Sequence, residues 1–260
     1  MGAPYVPNAM KISIITATFN CGKTLRTTLE SVAAQTHPDI EHLVMDGGSK
    51  DDTLDLVRGW TAHPLMLESG KDRGIYDALN KGIAKASGEI VGFLHADDVL
   101  QDERVLEKIA RAFEDRTVQA VYGDLVYVAQ DDLTRVIRTW HSGPFRLRRL
   151  RKGWMPPHPT FYARRSLYER LGGFDLQYRI AADYDNMLRL LSGGDGRGIK
   201  AAYVPEVLVR MRTGGVSNRS LRNILSKSRE DLAIARRNGV GGWSTVVLKN
   251  LSKISQFYKR

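Results

Sequence analysis

Glu89-Ile-Val-Gly-Phe-Leu-His-Ala-Asp-Asp98 is the stretch that decides the fold. Ile90, Val91, Phe93 and Leu94 form a short apolar run with one glycine inside, the length of a single buried strand. The run stops at two adjacent carboxylates, and a charged helical segment starts a few residues later. In an open α/β sheet, ligands bind outside the carboxyl ends of the strands. Two carboxylates at such a point repel each other unless a cation or a donor-rich ligand lies between them. Oxygen ligands of this kind suit Mg²⁺ or Mn²⁺, whose other positions commonly carry phosphates. The competing reading makes Asp97 or Asp98 a helix cap. It is the weaker one, because Asp102 and Glu103 already occupy the start of that helix.

Toward the N-terminus the same logic repeats. Lys11-Ile-Ser-Ile-Ile-Thr16 reads as a first strand, and residues 22–35 as a helix with Leu25, Leu29 and Val32 on one face. Ile40-Glu-His-Leu-Val-Met-Asp46 is a second strand, followed by the turn-rich Gly47-Gly-Ser-Lys-Asp-Asp-Thr53 and a helix facing inward with Leu54, Val57 and Trp60. Leu65-Met-Leu-Glu68 is a weaker third strand. After the polar loop Ser69–Gly74, the residues Ile75, Ala78, Leu79, Gly82, Ile83 and Ala86 fall at helical spacing, and Gly88 closes the helix. Alternation of this kind implies a parallel sheet with right-handed crossovers, an α/β nucleotide-binding type of fold. Three strand ends carry polar groups that would converge on one rim: Thr16 to Asn20, Asp46, and Asp97 with Asp98. Asp46 can accept hydrogen bonds from a nucleobase or ribose, or brace the Gly47-Gly48 turn. With no G-x-G-x-x-G, a dinucleotide cofactor is not expected. Ala17-Thr-Phe-Asn-Cys-Gly-Lys-Thr24 nearly spells a phosphate-binding loop around Lys23, but Ala17 stands where that pattern needs glycine.

Toward the C-terminus, a helix bearing Val105, Leu106, Ile109 and Phe113 precedes an apolar strand over residues 119–128. Phe145-Arg-Leu-Arg-Arg-Leu-Arg-Lys152 then places five cations in eight residues, suited to an anionic membrane, to phosphates, or to plain solvation. Pro156-Pro-His-Pro159 reads as rigid and non-helical, with His158 a candidate ligand or hydrogen-bond donor. Arg164 to Tyr168 reads as a helical turn. In Ile180–Leu191, the stripe Tyr184, Met187, Leu188 and Leu191 predicts a helix that starts at Asp183. The helix dipole stabilises a carboxylate there, as a cap or as a base. Residues 199–211 read as strand-like runs broken by Pro205, and Thr213-Gly-Gly-Val-Ser217 as a loop that could close over a ligand. Leu221, Ile224, Leu225, Leu232 and Ala235 make a late amphipathic helix. The tail from Trp243 to Tyr258, apolar and basic, could lie on a membrane surface or pack on the domain.

The 260 residues, 42% hydrophobic and 26% charged, suffice for a large core. One cysteine, Cys21, excludes an internal disulfide framework and a cysteine-based zinc site, and fits a reducing cytosol. Residues 1–10 lack the pattern of a signal peptide, and no apolar run reaches the length of a membrane span. The net charge of +10 hides an asymmetry. Residues 1–132 carry 13 Lys and Arg against 21 Asp and Glu, net −8, whereas residues 133–260 carry 26 against 8, net +18. Two surfaces with different partners are implied.

These stretches, in this order, resemble glycosyltransferase family 2, the inverting, metal-dependent enzymes of the GT-A fold. The likeness covers roughly residues 10 to 220 and rests on Ile14-Ile-Thr-Ala-Thr-Phe-Asn20, Val44-Met-Asp-Gly-Gly-Ser-Lys-Asp-Asp-Thr53, Asp72-Arg-Gly-Ile-Tyr-Asp-Ala-Leu-Asn-Lys-Gly82, Phe93-Leu-His-Ala-Asp-Asp98 and Asp183-Tyr-Asp185. It implies a Rossmann-like, mixed and mostly parallel sheet flanked by helices. Residues 1–10 would be a flexible start, 11–220 the transferase domain (nucleotide half about 11–132, acceptor half about 133–220), and 221–260 a basic helical extension. By the resemblance, Thr16, Ala17, Thr18 and Asn20 line the base and ribose, Asp46 grips the nucleoside, and Asp72 completes the donor pocket with Arg73 as a further candidate. Asp97 would touch ribose or sugar, Asp98 would hold Mg²⁺ or Mn²⁺ on the diphosphate, and Asp183 would be the general base. His95 or Ala96 replaces the first Asp of the usual Asp-x-Asp, and Ala182 replaces a common Glu, so Asp185 stands as the reserve base. A UDP-sugar is the favoured donor, with GDP- or dTDP-sugars as alternatives. The acceptor would be a saccharide or lipid-linked molecule of cell-surface polysaccharide or glycolipid assembly, handled in the cytoplasm at the inner face of the membrane. Nucleic acid is not an expected partner. The rivals are an NTPase using Lys23 and a nucleic-acid module using the basic half.

Overall fold

A computed structural model describes residues 9–214 and 221–254, with side chains left undescribed at 221–227 and 252–254. The closing loop expected at Thr213–Ser217 therefore falls largely outside the described residues, as do the side chains of Leu221, Ile224 and Leu225 and the tail beyond residue 254. The strands are β1 (Ile12–Thr18), β2 (Ile40–Asp46), β3 (Met66–Ser69), β4 (Ile90–Phe93), β5 (Val99–Leu100), β6 (Ala120–Val128), β7 (Val136–Trp140), β8 (Tyr162–Arg164) and β9 (Ala201–Arg212). The helices are α1 (Gly22–Ala33), α2 (Thr53–Arg58), α3 (Ile75–Lys85), α4 (Val105–Phe113), α5 (Arg165–Leu171), α6 (Ala182–Ser192), α7 (Leu221–Arg237) and α8 (Trp243–Ile254).

All strands join one mixed sheet in the order β3-β2-β1-β4-β8-β6-β9-β5, with β7 added on β6. The part built by the first hundred residues is parallel, β1 lying between β2 and β4. Every residue of β1 and β4 is buried, because helices cover both faces. One face, with Ile15, Leu43, Met45 and Phe93, packs toward α3, α5 and α6; the other, with Ile12, Ile14, Leu94 and Leu125, packs toward α1 and α4. The glycine inside the deciding run has a steric reason. A Cβ at Gly92 would lie 2.2 Å from the Tyr162 ring of the antiparallel neighbour β8.

Three expectations change. Pro205 does not break its strand: β9 is continuous, and the register with β6 slips between Tyr122↔Tyr203 and Asp124↔Val207, placing Pro205 in a bulge where its missing N–H costs little. Residues 158–160 are a 3₁₀ turn rather than a non-helical rod, held by the Thr160 N–H and hydroxyl on the Pro157 carbonyl, with Pro159 at a position its fixed φ suits. The basic run also coils, as a 3₁₀ segment Leu147–Lys152. The C-terminal helices pack on the rest: Ile234, Ala235 and Val240 belong to the same cluster as Phe93 and Tyr184.

Candidate active site

β1, β2 and β4 end side by side, and α1 braces the turn that leaves β4. The Thr24 hydroxyl donates to the Ala96 carbonyl (2.9 Å), the Thr28 hydroxyl to the Asp98 carbonyl (2.8 Å), and Ser31 Oγ accepts the Leu100 N–H (3.2 Å). β5 then pairs with β9, which carries the Arg212 N–H onto Asp98 Oδ1 at 3.2 Å. Arg212 also donates from Nη1 to the Asp97 carbonyl at 2.7 Å. The two acids end up in different surroundings. Asp98 is completely buried, and its Oδ2 has no partner among the described residues. Burial, with the Asp97 charge beside it, pushes its carboxyl well above the usual range against the pull of Arg212. Asp97 is half-buried, and its carboxylate takes no hydrogen bond from the described residues.

Asp183, on the first turn of α6, comes to the same place. Its Oδ1 accepts the Tyr184 N–H (2.8 Å), and its charge bears on Tyr76, His95, His158 and Tyr127. Tyr127 also feels Asp98, and His95 also feels Asp97. His95 and His158, 63 positions apart, meet with Nε2 atoms 2.7 Å apart, so one ring must donate and the other accept. Burial holds His158 down to about 3 and lowers His95 too, which favours neutral rings; His95 Nδ1 is buried with no partner among the described residues. The α6 start is set from outside: Glu230 of α7 accepts the N–H groups of Arg179, Ile180 and Ala181. No sequence pattern flags Glu230, since only packing brings it there. The reserve base is spent elsewhere: Asp185 is fully buried and bonded by Arg189 Nε (2.9 Å) and Asn238 Nδ2 (3.1 Å).

On the donor side the residues divide. Thr16 is fully buried, its hydroxyl 3.0 Å from His42 Nε2 beneath the rim, while Thr18 donates to Asp46 Oδ1 at 3.0 Å. Ala17 is buried in the α3-side cluster. Asp46 also accepts from the N–H groups of Gly48 and Ser49 and the hydroxyls of Ser49 and Ser69, five donors in all. Burial would raise its pKa, but these bonds hold the carboxylate below the usual range. The acceptor sites of a carboxylate are thereby filled, which is the bracing alternative; a nucleoside N–H would have to displace a serine. Asp46→Ala should lower the melting temperature of ligand-free protein by about 6–12 °C, a loss of about 3 kcal/mol from stranded donors. An unchanged melting temperature with lost donor affinity would make Asp46 a nucleoside contact instead. Asp72 accepts the Gly74 N–H (2.8 Å) and packs over Gly47, beside the recess lined by Asp46, Glu68 and Lys81. Arg73 is turned to Asp77 at 3.0 Å and is largely exposed. Asn20 has φ +50° and accepts the Lys50 N–H, and before it Phe19 is 64% exposed at the tip of β1. The signal for Phe19 in the sequence is slight, a single aromatic in a strand-tip loop.

The phosphate-loop rival fails on geometry. The Gly22 N–H already bonds the Asp51 carboxylate, and a Cβ at Gly22 would lie 1.7 Å from Asp52 Oδ1. Carboxylates hold the ground a phosphate would need, and Thr24 is committed to Ala96. For Mg²⁺ or Mn²⁺, the hard oxygens of Asp97 and the unpaired Asp98 Oδ2 fit, but no described cluster of three His, Cys, Asp or Glu could cage an ion alone. The fit is to a cation shared with phosphates.

The sequence model of Glycosyl transferase family 2 matches residues 13–172, which include β1, β2, β4 and the Asp97-Asp98 turn. The chain belongs to glycosyltransferase family 2. Among its relatives, an uncharacterized glycosyltransferase of Mycobacterium tuberculosis is 36% identical over 184 residues, 70% of this chain and 69% of the relative. A PGL/p-HBAD biosynthesis glycosyltransferase of Mycobacterium bovis is 34% identical over 215 residues, covering 81% and 80%. The fold of this family 2 glycosyltransferase is also that of Staphylococcus aureus TarS residues 1–349, with a TM-score of 0.71, 18% identity, and 94% of this chain and 72% of the other covered. The mannosyltransferase PcManGT of Pyrobaculum calidifontis, in complex with GDP-Man and Mn²⁺, gives 0.64 at 23% identity over 88% and 65%.

Proposed function

We propose that this glycosyltransferase moves a sugar from a nucleoside-diphosphate donor to a hydroxyl of a saccharide or lipid-linked acceptor, with inversion at the anomeric carbon. The observation that carries the reading is that acids from separate stretches, Asp97 after β4 and Asp183 on α6, act on the same histidine at one rim. Residues 11–132 would hold the donor and 133–220 the acceptor. Phe19 offers its exposed ring for a base to stack on, and Asp72 lines the recess beside Asp46. Asp183 takes the acceptor proton while the hydroxyl oxygen bonds to the anomeric carbon and the bond to the diphosphate breaks on the opposite side. Asp97, backed by Asp98 Oδ2, would hold Mg²⁺ or Mn²⁺, which supplies charge neutralisation for the departing diphosphate. This gives Asp97 the part that the sequence resemblance lent to Asp98, because Asp97 is the acid that reaches the rim.

A structure of TarS in complex with UDP-GlcNAc, and the GDP-Man complex of PcManGT, support a nucleotide-sugar donor, with UDP favoured. The name of the Mycobacterium bovis relative supports a cell-surface glycolipid as the product class. The cytoplasm, where nucleotide sugars are made available, is the proposed compartment. A panel of UDP-, GDP- and dTDP-sugars, each with and without Mn²⁺, should include one that raises the melting temperature only with the ion, by about 5–16 °C when free ligand is ~10²–10³ times its Kd. A triphosphate that stabilises through Lys23, with no response to any diphosphate-sugar, would defeat the reading.

A further inference from the structure

The outward face of α8 is mostly apolar, broken by Ser244 and Asn250, and no described residue buries it. Trp243, Val247 and Leu251 recur every fourth residue with Leu248 beside them, and each is between 44% and 57% exposed. The inward face is fixed. Lys249 Nζ forms a buried ion pair with Asp231 at 2.7 Å and lies 3.2 Å from the centre of the Tyr184 ring, and the Thr245 hydroxyl donates to the Arg151 carbonyl at 2.9 Å. A helix pinned in this way cannot roll to hide its apolar arc, because that would strand a buried ammonium. Large apolar side chains grouped on one helix face mark a docking surface.

Charge selects the occupant. From Leu232 to Arg260 there is no acidic residue, and the turn that α8 packs against, Leu147–Lys152, exposes Arg148, Arg151 and Lys152, with exposed Arg146 before it. A second copy of the chain would bring the same cations face to face. An anionic lipid surface satisfies both features at once, taking the apolar arc into the acyl boundary and the cations onto headgroups. No described helix is long and apolar enough to cross a membrane, so the contact is one of lying on the surface. We propose that α8 and the basic turn 146–152 seat the protein on an anionic bilayer. Since Lys249 sits on Tyr184, the neighbour of Asp183, the seat is rigidly coupled to the helix that carries the proposed base.

The test uses the full chain and vesicles, and reads no sugar transfer, so it is independent of the proposed reaction. The protein should sediment with vesicles of equal parts phosphatidylcholine and phosphatidylglycerol, and about a hundredfold less with phosphatidylcholine alone or in high salt. The double variant Val247→Glu with Leu251→Glu should keep its melting temperature, both residues being exposed, and lose at least about tenfold in vesicle affinity. Arg148→Glu with Arg151→Glu should lose the preference for the anionic lipid. Vesicle binding by the α8 variant equal to wild type, or no binding by wild type, overturns the proposal. So does a concentration-dependent dimer in ultracentrifugation that the α8 variant abolishes, which would make the face a contact between copies.

Discussion

Asp183→Asn should lower kcat by about 10²–10⁴-fold while leaving donor affinity where it was. A sugar hydroxyl is a poor nucleophile, and a positioned carboxylate that accepts its proton contributes a factor of that size. The substitution is chosen to isolate this role. Asp183 accepts the Tyr184 N–H and lies within hydrogen-bonding reach of the Tyr76 hydroxyl, contacts that an amide oxygen can also accept, so α6 keeps its start and the melting temperature should hold. The donor-side residues lie on other elements and are untouched. Single-turnover kinetics with saturating donor, beside calorimetric donor binding, separate the two effects. A variant that transfers at the wild-type rate would move the base elsewhere. Asp185 could not inherit the part, being fully buried against Arg189 and Asn238. The His95–His158 pair, whose Nε2 atoms meet at the same rim, would then be the next candidate.

The second large effect separates the paired acids. Asp97→Asn should remove the Mn²⁺ response and cost about 10²–10³-fold in turnover with little change in stability, because its carboxylate is half-buried and holds no described partner. Asp98→Asn should weaken the Mn²⁺ response less than Asp97→Asn does. Its oxygen can still accept the Arg212 N–H, and an amide replaces a carboxyl that burial already drives toward its neutral form. Thermal shifts with donor, with and without Mn²⁺, read both variants in one plate. The reverse pattern, with Asp98→Asn blind to the ion and Asp97→Asn responsive, would return the cation to Asp98.

Much of the fold is legible in the chain because the early strands are unambiguous. Ile12–Thr18, Ile40–Asp46 and Ile90–Phe93 are apolar runs bounded by helices, and such runs have few alternatives to a buried parallel strand. The late strands resist reading for physical reasons. β5 is two residues long and β8 three, too short for any period to show, and both exist because a partner strand is already in place. Pro205 carries a local signal for interruption that a bulge overrides. At the site, residue type points correctly to a rim, but type does not reveal reach. Thr16 and Thr18 are alike in sequence, yet one bonds His42 below the rim and the other the Asp46 loop. Asp97 and Asp98 are likewise adjacent and identical, and only the β5–β9 pairing turns one inward.

Glu230 gives the C-terminal helices a consequence for enzyme engineering. Its carboxylate gathers three amide hydrogens immediately ahead of the residue proposed to deprotonate the acceptor, although α7 stands outside the matched family segment. A shortened version ending after β9 would lose Ile234, Ala235 and Val240 from the core they share with Phe93 and Tyr184, and Asn238 from the buried Asp185. Its α6 entrance would be left with three thirsty amides and no anchor, so the C-terminal helices belong in any engineered version meant to keep turnover.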